Sequence, residues 1–299
     1  MNVLLLKRWL QDNGPWLIGS RLDNVSQLDL RSLLLRFEGD AGTRLMVLSV
    51  REEFPVLAWI DDQDEVSASS DAESNFCKAV RFHLQGYRIV GIEQQGFDRS
   101  VVFTFKHKDV YGEETIKYLR HELAGRSANA FILSIKSMVV SLFRRIKKNP
   151  NRVRLIQTGK PLPPPPPLGK FIAAESTAEQ LADEMAEIAL DDGVEAKGAL
   201  KHLFTVRVAC CDKKTWPSVG ALLPVEHDLQ SLFDFIRSFQ RGEFTQNIFG
   251  IGEDGRDANQ VGLESWQAAG SNRTATSKAE NVKLKRLGAR MDGLVQQQA

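Results

Sequence analysis

The sequence predicts an α+β protein: an antiparallel, β-sandwich-like domain at the N-terminal side, followed by a small helical domain. Three observations carry this. Between residues 18 and 135, short β-branched and aliphatic runs alternate with breaks rich in Gly and Asp, and parallel βαβ order is not indicated. One strand pair occurs twice. GSRLDNVSQ-LDLRSLLLRF (19–37) aligns with GYRIVGIEQQGFDRSVVFTF (86–105) across one gap, so two packed sheets around one core are expected. Beyond the uninterrupted proline run 163–167 the apolar period becomes helical.

The elements follow in order. Leu5, Leu6, Trp9 and Leu10 recur at helical spacing over 3–17, and Gly14-Pro15 is expected to interrupt that helix. The first meander has strands at 21–26, 32–38, 44–50 and 55–60, and an acidic, Ser-rich loop at 61–75 closes it. A helix over 75–85 places Phe76, Val80 and Leu84 on one face. The second meander has strands at 87–94, 100–106, 116–123 and 130–135. Residues 136–148 mix an apolar run with a basic cluster, and the prolines after it form a stiff extended spacer. In the helical part Ser176-Thr177-Ala178-Glu179 fits a capping box ahead of Leu181, Met185 and Ile188. Asp228 is expected to cap a second helix with the stripe Leu229, Leu232, Phe233 and Ile236, and Gly242 to end it. The expected domains are 1–160 (β-rich), 161–170 (linker), 171–250 (helical) and 251–299 (flexible tail with a helical stub).

The net charge of +1 conceals a gradient. Residues 1–77 hold 7 basic and 13 acidic side chains, residues 78–160 hold 17 and 6, and residues 161–299 hold 15 and 19. A basic block between acidic ones suits a polyanion, a surface docked on the chain's own acidic parts, or a solvated face. Cys77, Cys210 and Cys211 are too few for a disulfide framework, and neither they nor the scattered histidines have zinc spacing, so no metal or cofactor is expected. No export signal is read at the N-terminus and no run approaches the length of a membrane span, which points to a cytoplasmic protein without a membrane partner. Phosphate-loop, dinucleotide-binding, zinc-protease and serine-hydrolase motifs are missing, so no enzyme is expected.

The informative stretch is Gly96-Phe97-Asp98-Arg99-Ser100, followed by HELAGRSANAFIL at 121–133. Asp98 and Arg99 fall at a tight turn. There the arginine can bind phosphate or stack on a base while the aspartate orients it, or the two form a local turn salt bridge. Glu122 ends a strand, Gly125 allows an unusual backbone turn, Arg126 reaches an anion or a loop, and Asn129 satisfies buried backbone groups. Arg144, Arg145, Lys147 and Lys148 make the densest charge run and are candidate RNA contacts.

At these residues the chain resembles the NFACT family, the fibronectin-binding protein A-like ribosome quality-control factors. GSRLDNVSQ, SLLLRF, GYRIVGIEQQGFDRSVVFTF, HELAGRSANAFIL, NRVR (151–154) and TGKPLPPPPP (158–167) carry the likeness, and 228–249 resembles the end of the family's helix–hairpin–helix region. The resemblance implies a first domain related in fold to the N-terminal part of formamidopyrimidine-DNA glycosylases. It implies binding of tRNA and of the large ribosomal subunit with peptidyl-tRNA, in rescue of stalled ribosomes with C-terminal alanine tailing. The family's tRNA-handling pair falls on Asp98 and Arg99, and its second motif on Glu122, Gly125, Arg126 and Asn129. The family's GRHSN reads Gly125-Arg126-Ser127-Ala128-Asn129 here. The proline nucleophile of the related glycosylases has no counterpart in Met1-Asn2-Val3. Without the long coiled coil and C-terminal RNA-binding domain, a truncated or partial member is expected, self-associating through its terminal stub. The alternatives are a fibronectin-binding surface adhesin and an inactive, dominant-negative ribosome-binding fragment.

Overall fold

A computed structural model describes residues 3–60, 73–145, 154–166, 171–192 and 229–241, with shorter pieces at 203–204, 243, 257–261, 263–264 and 267. Each half of the β domain starts with a helix that passes through one glycine into a strand hairpin. Helix α1 (Val3–Leu17) leads into β1 (Arg21–Asp29), β2 (Ser32–Gly39), β3 (Gly42–Ser49) and β4 (Val56–Ile60). Helix α2 (Asn75–Leu84) leads into β5 (Arg88–Gln94), β6 (Ser100–Lys108), β7 (Glu114–Glu122) and β8 (Asn129–Ser134), and a short β9 (Val139–Leu142) follows. The two linking glycines, Gly19 and Gly86, have φ of 86° and 85°, a left-handed conformation that glycine adopts without Cβ strain.

The repeated segments are the hairpins β1–β2 and β5–β6, and they meet across a local two-fold axis. Arg21 opposes Arg88, the residue at the same place in the other repeat. Gly19 N–H donates to Ile89 O and Gly86 N–H to Leu22 O, both at 2.8 Å; Leu22 N–H donates to Tyr87 O and Ile89 N–H to Ser20 O, both at 2.9 Å. These bonds correct the expectation of two separate sheets: the strands form one antiparallel sheet, ordered β4-β3-β2-β1-β5-β6-β7-β8-β9. Backbone groups at the start of β1 and β5 need partners, and each strand supplies the other's. The seam is short, so the halves diverge from it and share one core. Leu33, Leu35, Met46 and Leu48 of the first half pack in the same cluster as Phe103, Phe105, Leu119 and Ile132 of the second. His121 of β7 reaches the carbonyl of Ser49, the last residue of β3, at 3.0 Å.

Helix α1 does not stop at Gly14-Pro15 but continues to Leu17. Pro15 forfeits one helix hydrogen bond. The last turn is retained because Leu17 is fully buried, Trp16 packs at the edge of the core, and Ile18 N–H still donates to Gly14 O at 3.1 Å. Helix α2 buries Phe76, Val80 and Leu84 as expected, and Ser74 caps it by accepting from Cys77 N–H.

Strand β9 had no sequence expectation. It lies at a sheet edge and is covered by residues 154–166: Val139 N–H donates to Lys160 O at 2.9 Å and Gly159 N–H to Val139 O at 2.8 Å. Ile156 is buried there with Phe131, Leu133 and Val139. At the opposite edge, Asn259 clips β4. Its amide oxygen accepts from Trp59 N–H at 2.5 Å and from Trp9 Nε1 at 3.0 Å, and its nitrogen donates to Trp59 O at 3.2 Å. Ala258 is buried in the main core beside it. The expected boundary near residue 250 and the terminal stub lie outside the described residues.

Helices α3 (Ala178–Asp192) and α4 (Leu229–Gln240) build a second core with Phe171, Leu203 and Phe204. The capping box sits one residue later than expected: Thr177 Oγ1 accepts from Gln180 N–H, and Gln180 Oε1 accepts from Thr177 N–H at 3.0 Å. In α4, Leu232, Phe233 and Ile236 are buried, but Leu229 is exposed; the stripe continues instead to Phe239 and Gln240, whose amide bonds Ala173 N–H and Phe171 O. Asp228, Gly242 and the side chain of Ile188 lie outside the described residues.

Candidate functional site

The β5–β6 turn carries Asp98 and Arg99. Gly96, at φ 56°, lets the chain reverse, and Gln95 N–H donates to Ser100 O to close the turn. Gln94 Nε2 donates to Asp98 O at 2.8 Å, and Arg99 O accepts from Leu123 N–H at 2.7 Å, which ties the turn to the end of β7. Phe97 packs into the helical core, so this turn is also where the two cores touch. Among the described residues Asp98 and Arg99 form no side-chain ion pair; Asp98 Oδ1 accepts from the Arg99 backbone N–H at 2.6 Å.

From this turn opens a cleft of about 590 Å³. Its walls bring together Asp98, Arg99, Glu122, Arg126, Asn129, Arg144 and Arg145, which the sequence singled out, and add Arg154, Pro165 and Pro166. Lys147 and Lys148 lie outside the described residues. Gly125, at φ 54°, starts the 3-10 turn Gly125–Ser127 that exposes Arg126.

The polar residues divide into two groups. Glu122, 9% exposed at its side chain, is held by two arginines: Arg154 Nη1 and Nη2 reach its two oxygens at 2.7 and 3.0 Å, and Arg120 Nε approaches Oε1 at 3.0 Å. Burial pushes the Arg120 pKa below its ordinary value and Arg154 adds to this, whereas Glu122 and Asp98 oppose it. Arg154 Nε also donates to Pro163 O at 2.7 Å, which fastens the proline segment to this wall. Asn129 is buried with both ends of its amide used: the oxygen accepts from Ala130 and Arg144 N–H, and the nitrogen donates to Arg144 O. Arg144 in turn donates to Arg126 O and Ala128 O at 3.0 Å and to Glu52 Oε1 at 2.5 Å. Glu122, Asn129, Arg144 and Arg154 therefore shape the cleft.

The guanidinium groups of Arg99, Arg126 and Arg145 are exposed and make no hydrogen bond or ion pair with any described residue. They are the groups open to an external anion, with the half-buried Asp98 carboxylate beside them as an acceptor. Sequence reasoning missed Arg120, Arg154 and Glu52. Strand parity could have found the first, because Arg120 and Glu122 share one face of β7. Arg154 was visible only within the NRVR match, and Glu52 through no local signal.

Comparison with known proteins agrees with this architecture. NFACT N-terminal and middle domains match residues 5–205. The Rqc2 homolog RqcH of Bacillus subtilis (strain 168) is 21% identical over 191 residues, which make up 64% of this chain and 32% of that protein. The chain thus matches about a third of the length of that curated relative. Among solved structures, the N-terminal part of the fibronectin/fibrinogen-binding protein from Streptococcus suis superposes with a TM-score of 0.71 at 15% identity, covering 90% of this chain and 99% of that one. The fibrinogen binding protein from Staphylococcus aureus gives 0.60 at 16% identity, covering 79% of each chain. The N-terminal domain of PavA from Streptococcus pneumoniae gives 0.56 at 20% identity, covering 68% and 73%. Among the described residues no helix is long and apolar enough to cross a membrane. On the match across two thirds of its length, the chain belongs to the NFACT family.

Proposed function

We propose that the chain is a non-enzymatic, cytoplasmic RNA-binding factor of ribosome quality control that engages tRNA on an obstructed large ribosomal subunit. The observation that carries this reading is the cleft, where two motifs separate in sequence converge and three guanidinium groups stand without partners among the described residues. Arginine forks fit phosphate oxygens, and an adjacent carboxylate accepts from a ribose hydroxyl or a base amino group. Tailing of nascent chains is proposed as the pathway this chain joins. The fibronectin reading rests on the names of proteins 15–20% identical, a likeness that extends to fold alone.

Filter binding of the full chain to tRNA across a salt series tests the reading. Arg99→Met and Arg126→Met should each weaken binding and lower the slope of log K against log salt by about 0.7 to 0.9, the value of one phosphate contact. Co-sedimentation with large subunits should weaken in parallel. Wild-type slopes and affinities in both variants would overturn the assignment.

A further inference from the structure

Toward the other end of β6 and β7, where Lys117 lies five residues or about 17 Å of strand rise from Glu122, four rings are clustered beside one ammonium group. Lys117 Nζ donates to His83 Nδ1 at 3.2 Å and to His83 O at 3.3 Å, and lies 5.2 Å from the centre of the Tyr87 ring. Tyr87 stacks on His107 with centroids 4.9 Å apart, and Phe82 meets His83 edge-on at 4.9 Å. Phe82 is 83% exposed, although it sits on a helix whose other large apolar residues are buried.

Two features of this rim point to a nucleotide. The Lys117 ammonium is positioned by an imidazole, a carbonyl and a ring face, with no carboxylate among its partners. Among the described residues it is a fixed cation without a counter-ion, which an incoming phosphate would supply. The rings beside it offer flat faces, and base–aromatic stacking needs a π-face in place of a matched hydrogen-bond pattern. A protein partner seated on Phe82 would have been favoured by an apolar surround. The neighbours are instead His83, Lys117 and His107, and the rim belongs to the same basic block, 78–160, as the cleft.

We infer that this rim is a second RNA contact, in which Lys117 takes a backbone phosphate and Phe82 stacks on an unpaired base of the RNA held in the cleft. The inference rests on the proposed RNA-binding function. It adds a distance requirement, because Lys117 and Glu122 lie on opposite faces of β7, and only an RNA long enough to leave the cleft and pass around the sheet reaches both places.

The test compares the full chain and its Phe82→Ala, Lys117→Met and Arg99→Met variants on a four-nucleotide RNA and on intact tRNA. Phe82→Ala should weaken tRNA binding roughly 5- to 100-fold, the range of one lost base stack, and leave the tetranucleotide unaffected. Lys117→Met should lower the salt slope on tRNA by about 0.7 to 0.9. Arg99→Met should weaken both ligands. If Arg99→Met weakens both while Phe82→Ala and Lys117→Met bind tRNA like the wild type, the rim is not an RNA contact and the cleft assignment stands. If the unaltered chain binds neither RNA, the functional reading fails with it. Loss of ribosome co-sedimentation in Phe82→Ala with unchanged binding to free tRNA would assign the rim to the subunit surface and not to the RNA held in the cleft, and overturn the inference.

Discussion

Glu122 sits between two partly buried arginines, and removing its charge separates a shaping role from a ligand role. The side chains of Glu122, Arg120 and Arg154 are 9%, 11% and 14% exposed. This is not a screened surface pair worth under about 1 kcal/mol. In Glu122→Gln the two guanidinium groups face each other without a counter-charge, and stranding a buried charge in this way costs about 3–5 kcal/mol. The amide still accepts one hydrogen bond, which favours the lower end. About 3 kcal/mol corresponds to roughly 6–12 °C in Tm for a domain of this size. Thermal and urea unfolding measure the loss, and tRNA binding is followed in parallel. Glu122→Gln/Arg154→Met removes one of the two repelling charges and should recover at least about 1 kcal/mol. If Glu122→Gln keeps the wild-type Tm within about 2 °C and still loses tRNA, Glu122 contacts the ligand directly and the shaping argument is refuted.

Further outcomes follow from buried polar groups. His121 is fully buried, donates from Nε2 to Ser49 O, and its pKa is lowered to about 4, chiefly by burial. Between pH 6.5 and 4 the unfolded chain takes up a proton that the folded one refuses, so stability falls as pH falls, by about 3 kcal/mol across the window. His121→Gln should flatten that part of the urea-midpoint profile, and an unchanged slope would assign it elsewhere. Asn259→Ala leaves the buried Trp9 indole N–H without its acceptor, at about 1–3 kcal/mol. Lower urea stability with red-shifted tryptophan emission is expected, and wild-type values would mean the clip does not hold β4. The Cys77 thiol is buried and its pKa is raised to about 12, mainly by burial. In a Cys210→Ser/Cys211→Ser background it should react with a thiol reagent only on unfolding, and labelling of the folded protein would contradict its burial.

Strands and helices of the β domain were legible because burial sets the period: Phe103 and Phe105 point to the core while Val102 and Thr104 do not. Sheet closure was not legible. It depends on four backbone hydrogen bonds at a seam between residues about 67 apart, and no side-chain pattern records backbone pairing of that kind. The Asp98–Arg99 turn announced itself by glycine and charge. The partition of the cleft into supporting and open arginines did not. Arg144 and Arg145 are neighbours of identical type, and only the docking of Asn129 and Glu52 on Arg144 distinguishes them. Leu229 shows the converse limit, since helical spacing named a stripe but not which end of it the second core would cover.

The internal two-fold explains why one of two equivalent turns became a cleft. Arg31 holds the place of Arg99, and its carbonyl accepts from Val50 N–H at 2.8 Å as that of Arg99 accepts from Leu123 N–H at 2.7 Å. By that register Ser49 stands where Glu122 stands, and Leu30 where Asp98 stands. The same scaffold is thus built twice with different chemistry. In the first half, Arg51 pairs with Asp29 at 2.6 Å, Glu52 is taken by Arg144 from the second half, and the Ser49 carbonyl is taken by His121. Glu52 and the Ser49 carbonyl of the first half are thus used in contacts with the second and Asp29 is closed on Arg51 within the first, while Arg99 and Arg126 of the second have no side-chain partner among the described residues. Strand pairing tolerates either choice, because backbone bonds carry the hairpin and the turn charges lie outside the ladder. An ion pair, Glu52 with Arg144, joins the acidic first block to the basic second block, and it leaves Arg99 and Arg126 as exposed positive charge on the second.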